Sequence, residues 1–247
     1  MTPATVLITG ASSGLGRGLA LHYARAGATV HALARRRQEL DSLAAEAQRA
    51  SAGRIVPTVL DVTDAEAGGA LDLVIANAGL GDPTPARRID WRKVKRIMDV
   101  NVSAACVTIA AALPAMVARG QGTVVAVASL AAYRGFPEAG AYCASKAALH
   151  TFMESMRVDL RGSGVKAITV YPGFVRTEMT ARNKFRMPFM MELDDAIRVM
   201  ARGIDRGSST VAFPLPARMS VALIGTVPRA IYEPLANPRR YRSKRGS

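Results

Sequence analysis

Cys106 and Cys143 are the only thiols in a chain of 247 residues. Two are too few for a disulfide framework. Both stand among small or apolar neighbours, so they are expected to be buried structural thiols in a reducing compartment. Long hydrophobic runs are missing too: no stretch reaches the roughly 18 uninterrupted apolar residues of a membrane-spanning helix. Met1 leads straight into Val6-Leu7-Ile8-Thr9-Gly10, without the basic n-region or cleavage site of a secretory signal. A soluble, cytoplasmic protein is the expectation. Aromatic residues are sparse, and neither zinc-ligand spacing nor an RNA-binding signature is present, so no metal and no nucleic-acid partner is expected. Acidic residues are also short, 19 against 33 Lys and Arg, for a net charge of +14. The excess collects in Arg35-Arg36-Arg37, between Arg87 and Arg96, and in Arg239, Arg240, Arg242, Lys244 and Arg245. Such a balance attracts anionic metabolites, lipid or nucleic acid. A solvated basic surface ending in a frayed tail is the plainer reading.

What the chain has is alternation. Strands are read at residues 5–9, 29–34, 55–60, 71–76, 123–128 and 167–171, all rich in Val, Ile and Leu. Helices are read at 14–26, 37–50, 91–119 and 140–161, with Pro114 expected to break the third. Apolar strands separated by helices make βαβ units, and therefore a doubly wound parallel sheet of Rossmann type, a three-layer α/β/α fold. Only nine residues separate Asp61 from Leu71, so any helix in that crossover has one or two turns at most. No repeat or linker divides the chain. A single domain 1–247 is expected, with a substrate lid over about 174–200, a C-terminal extension over about 214–247 and a basic tail at 238–247.

Thr9-Gly10-Ala11-Ser12-Ser13-Gly14-Leu15-Gly16 follows the first strand and opens the first helix. Glycines there let backbone approach a pyrophosphate, and the helix N-terminus offers free N–H groups and a positive dipole end. The second strand ends Leu33-Ala34-Arg35-Arg36 without the acid that usually receives a ribose 2′-hydroxyl. A guanidinium instead pairs with a 2′-phosphate in a fork geometry. Arg35 and Arg36 therefore predict NADP(H) in preference to NAD(H).

Tyr142-Cys143-Ala144-Ser145-Lys146 sets a phenol and an ammonium four residues apart on one helical face. A tyrosine near pKa 10 is a poor base, and an adjacent cation is expected to lower it towards the working range. Ser129 lies just past the fifth strand, where ligands approach an open α/β sheet, and its hydroxyl suits a developing oxyanion or a loop cap equally. Asn101 is a polar residue inside an apolar helix, a position that demands partners.

Taken together, Thr9 to Gly16, Asp61, Asn77-Ala78-Gly79, Asn101, Ser129, Tyr142, Lys146 and Pro172-Gly173 resemble the ordered motif set of the short-chain dehydrogenase/reductase family, over about residues 4–180. The resemblance implies that Tyr142 is the general acid/base, that Lys146 binds the nicotinamide ribose and that Ser129 orients a carbonyl or carbinol. It implies that Asn101 holds a water in a relay to Lys146. Asn77, Ala78 and Gly79 would line the adenosine side, with Asp61 at the adenine and Thr177 and Val175 at the nicotinamide, while Val62, Pro172 and Gly173 would also bind the cofactor. It also implies a homodimer or homotetramer. The short 61–71 connection departs from the family on the adenine side. The missing Gly-rich ending speaks against the bacterial 3-oxoacyl-carrier-protein reductases.

Past Gly173, Met179, Phe185, Met187, Phe189, Met190 and Met191 suit an apolar carbonyl or alcohol substrate, or the packing of a lid. Met219 to Leu235, interrupted by Pro228, fits a subunit or lid contact first and a peripheral membrane contact second. Two other readings stand beside the enzyme: a non-catalytic NADPH-binding regulator, and a basic membrane or nucleic-acid module on the same fold.

Overall fold

The computed structural model describes residues 3–50, 53–60, 71–181, 183 and 186–236. Seven parallel strands form one sheet in the order β3-β2-β1-β4-β5-β6-β7. They are β1 (Thr5–Thr9), β2 (Thr29–Ala34), β3 (Arg54–Val59), β4 (Leu73–Ala76), β5 (Gly122–Val127), β6 (Val165–Pro172) and β7 (Thr210–Phe213). The pairing reverses direction at β1, which lies between β2 in register Thr5↔Thr29 and β4 in register Val6↔Leu73. That reversal is the topological switch at which such sheets open a crevice beyond their carboxyl ends.

Both faces are covered, which is why the strands read as unbroken apolar runs. On one face α1 (Gly14–Arg25), α2 (Arg37–Ala50) and α7 (Leu193–Asp205) enclose Val6, Ile8, Leu19, Leu40 and Met200, all shielded from solvent. On the other, α4 (Ala104–Arg119) and α5 (Gly140–Asp159) enclose Val74, Ile109, Val124 and Met153. α7 follows the short α6 (Glu178–Ala181). Residues 193–200, read from sequence as the end of a lid, are thus the first half of a core helix whose Ala196, Ile197 and Met200 are buried.

The helical region 91–119 differs from expectation in where it is irregular. It begins as α3 (Trp91–Met98), whose N-cap Asp90 accepts a hydrogen bond from the Arg92 N–H at 2.9 Å. It then widens into one π-turn at Asp99–Ser103 before α4. Pro114 sits within α4 without ending it; the irregular stretch is the one around Asn101. By length and composition alone this run could cross a membrane. Here Ala105, Ile109, Ala112 and Met116 face the sheet, while Val107 and Val117 on the outer side are exposed. The described residues finish with α8 (Leu215–Thr226) and α9 (Arg229–Ala236).

Candidate active site

The residues singled out from sequence collect at the carboxyl edge of the sheet. The glycine loop leaves β1, Asn77-Ala78-Gly79 leaves β4, Ser129 follows β5, and Pro172-Gly173 closes β6. The loop packs against the β4 exit through contacts that only glycine permits. A Cβ built on Gly16 would lie 2.4 Å from the Gly10 carbonyl oxygen and 2.5 Å from Asn77 Nδ2, and one on Gly10, at φ +67°, would lie 2.7 Å from Ala78 Cα. Thr9 Oγ1 accepts from the backbone N–H groups of Asn77 and Ala78 at 3.0 and 3.1 Å, while Asn77 Nδ2 donates to Thr9 O at 3.0 Å. Ser13 caps α1 without a side-chain hydrogen bond, which leaves first-turn amides of α1 to an incoming anion. Leu15 follows in that first turn.

Thr177 reaches over this loop: a Cβ on Gly14 would stand 3.3 Å from its Cγ2. Val175 is buried and its carbonyl accepts from Thr180 Oγ1 at 2.7 Å. Arg36 Nε and Nη2 donate to Ser12 Oγ at 3.3 and 3.2 Å, and its Nη1 pairs with Glu178 at 3.3 Å. Arg35 instead lines a cavity of about 490 Å³ with Trp91, Arg92, Lys95, Arg96, Asp99 and Val100. The two arginines therefore have different neighbours. Asp61 and Val62 lie outside the described residues.

At the reacting end, Tyr142 and Lys146 share one face of α5, with Lys146 Nζ 5.9 Å from the phenol ring centroid. Lys146 is 4% exposed and donates to Val127 O at 2.7 Å; burial lowers it to about 8. Ser129 accepts from Ala131 N–H at 3.1 Å, capping a short 3₁₀ turn, donates to Pro172 O at 3.4 Å, and stands close enough to the Tyr142 phenol to pull its pKa down. Of the two alternatives in the sequence, the loop cap is present here. The expected lowering of Tyr142 is not found. Burial pushes the phenol up, Ser129 pulls it down and the adjacent Cys143 pushes it up. Desolvation is the largest of the three effects and sets the direction.

Asn101 is completely buried and spends its amide on structure. Its Oδ1 accepts from Leu80 N–H at 2.7 Å, and its Nδ2 donates to Leu80 O at 3.0 Å and Ser145 Oγ at 2.9 Å. Ser145 Oγ in turn donates to Tyr142 O at 2.7 Å. A Cβ on Gly79 would be 3.5 Å from both Asn101 Oδ1 and Lys146 Nζ, so the two flank that glycine. Three contributors escaped the sequence reading. Ser145 is a small polar residue that any helix tolerates, and the Val127 carbonyl carries no side-chain signal. Thr84 is remote in sequence, yet its Oγ1 accepts from Ala141 N–H at 3.2 Å and caps the helix bearing Tyr142.

Residues 4–187 match the family model of the short chain dehydrogenases. The chain belongs to that family. This short-chain dehydrogenase is 49% identical to an uncharacterized oxidoreductase of Myxococcus xanthus, an alignment covering 96% of this chain and 97% of the relative. It is 33% identical to an uncharacterized oxidoreductase of Mycobacterium tuberculosis, over 87% and 89% of the two chains. Among solved structures it resembles a short-chain dehydrogenase from Sphingobium yanoikuyae in complex with NADPH, with a TM-score of 0.80, 27% identity and coverage of 92% and 97%. The dehydrogenase is an oxidoreductase on a Rossmann-like sheet.

Proposed function

We propose that this oxidoreductase interconverts a carbonyl and an alcohol with NADP(H), using Tyr142 as general acid/base. The observation that carries the proposal is the gathering of the Tyr142 phenol, Ser129 and buried Lys146, the lysine on the same helical face as the phenol, with a glycine loop at the same sheet edge. The residues fit a dinucleotide: Gly10 and Gly16 hold the loop tight against the β4 exit, where any Cβ would collide, and α1 has no side-chain cap to compete with a phosphate. The Gly10–Gly16 loop and α1 amides would hold the pyrophosphate, Asn77-Ala78-Gly79 the adenosine side, and Lys146 a ribose hydroxyl. When bound, the nicotinamide supplies the hydride and, oxidised, a positive charge that favours phenolate.

The chain's own groups do the rest. In reduction, Tyr142 gives its proton to the oxygen of the forming alcohol, and Ser129 donates to the same oxygen as charge develops on it. Lys146 stabilises the phenolate left behind. Asn101 holds Leu80 and Ser145 and so fixes the Tyr142 turn, while Gly79 leaves room between Asn101 and Lys146 for a water of a proton relay. Support for NADP(H) comes from Arg36 beside Ser12 and from the cationic cavity of Arg35, Arg92, Lys95 and Arg96. Support for an apolar substrate comes from Met179, whose Sδ would lie 3.3 Å from a Cβ on Gly81, with Tyr142 Cε2 4.0 Å from the same point.

Tyr142→Phe is expected to lower turnover by about 10²–10⁴ while NADPH still binds. A screen of ketones, steroids, quinones and acyl thioesters with NADPH against NADH supplies the substrate for that measurement. Retained turnover in the variant overturns the assignment of Tyr142, and equal use of the two coenzymes overturns the role of the arginines.

A further inference from the structure

The last two helices expose apolar side chains that no described residue covers. On α8, Leu215, Met219 and Leu223 are 61%, 64% and 70% exposed. Spaced four apart, they form a single stripe. The opposite face turns Ala217 and Val221 to the core, so the helix is anchored and its outer side remains unpartnered. α9 adds Ile231 and Leu235, 54% and 60% exposed and again four apart. From Pro214 to Ala236 the charged residues are Arg218, Arg229 and Glu233, all exposed. Past Ala236 the sequence adds Arg239, Arg240, Arg242, Lys244 and Arg245 with no acid.

We propose that α8 and α9 dock on an anionic lipid bilayer, the apolar stripe entering the boundary between headgroups and acyl chains and the cations meeting phosphates. An exposed apolar face of this continuity marks an interaction surface, and charge decides which kind. A second copy seated there about a two-fold axis would set Arg218 and Arg229 against a surface of the same excess positive charge. An anionic bilayer presents the opposite sign to both. The docking face is also tied to the reacting end. Arg134 donates to Gly225 O at 3.2 Å and Val227 O at 3.0 Å and stacks 4.2 Å over the Tyr232 ring, while Tyr232 Oη donates to Gly135 O at 2.6 Å. Arg134 and Gly135 belong to the segment running from Ser129 to Tyr142. Delivery of apolar substrate from the lipid would follow from this link and rests on the proposed function; the docking does not.

The test reads binding without turnover. The full chain is floated with phosphatidylcholine vesicles that contain or lack phosphatidylglycerol. It is expected to rise with the anionic vesicles at low salt, to be released as salt increases, and to stay behind with phosphatidylcholine alone. Met219→Glu/Leu223→Glu is expected to weaken partitioning at least roughly tenfold with an unchanged melting curve. Arg218→Glu/Arg229→Glu alters exposed positions alone, should weaken binding to the anionic vesicles, and keeps the test alive should the first variant misfold. Failure of the full chain to bind at low salt overturns the proposal, as do equal binding to both vesicle types and variants that bind undiminished. So does light scattering that shows a stable oligomer dissociated by the first variant, since the face then belongs to a second copy.

Discussion

Lys146 carries its charge at a cost. Burial depresses its pKa to about 8 against an ordinary 10.5, so the folded chain binds this proton less tightly than the unfolded chain does. Stability linked to the residue therefore rises as pH climbs from about 8 towards 10.5, and the penalty is fully present below 8. Lys146→Met removes a buried charge and leaves one carbonyl, that of Val127, without its donor. The variant is expected to melt higher than the parent at pH 7, with the gap narrowing towards pH 10, and to lose turnover. A melting temperature below the parent's at pH 7 would show that the Val127 bond outweighs the desolvation. Tyr142 moves the other way: its pKa is raised, so the phenol stays protonated through neutral pH. Carbonyl reduction should accordingly hold steady across neutral pH, while alcohol oxidation climbs through the alkaline range. An oxidation rate that falls in the alkaline range contradicts this.

At the scale of elements, the switch between β1 and β4 is held by glycines with unequal tolerance. In Gly16→Ala the new methyl would meet the Gly10 carbonyl and Asn77 amide, neither of which can swing away. The variant should lose about 1–3 kcal/mol of stability together with NADPH binding, read by denaturant unfolding and coenzyme fluorescence. In Gly79→Ala the methyl would make ordinary contacts with Asn101 and Lys146. That variant should unfold like the parent and bind NADPH yet turn over more slowly, because the methyl occupies the space assigned to the relay; undiminished turnover removes the relay from Gly79. The strands up to β6 and the loop after β1 were legible because Val, Ile and Leu runs and Gly spacing are local signals. The π-turn at Asn101 was not, since no single residue announces it. β7 was missed as well, with only Val211 and Phe213 of its four residues buried, and so was α7, which packs on α1 and on the missed β7.

Across the whole molecule, one exposed ion pair bridges the turn after β2 and the start of α6. Glu178 competes for Arg36, the guanidinium expected to meet a 2′-phosphate, and places a carboxylate beside that position. Glu178→Gln should tighten NADPH binding roughly two- to fivefold and leave NADH unchanged, measured by titration. An equal gain for both coenzymes would place the effect outside the phosphate. That bridge, like the link between Thr84 and the start of α5, joins residues far apart in sequence. Such pairings could not be read from the chain, whereas the Tyr142–Lys146 spacing lies within one helix and could.

The packing of α1 on α7 has a consequence for how the chain is made. Tyr23 donates to Asp205 across 182 residues of sequence, and Ile197 closes over Gly18. A ribosome adding about 5–20 residues per second leaves the α1 surface waiting roughly 10–40 s for its cover. For that interval the nascent polypeptide presents an oily helix to the cell, and a chaperone able to shelter it would raise the yield of folded molecules more than any change at the reacting end.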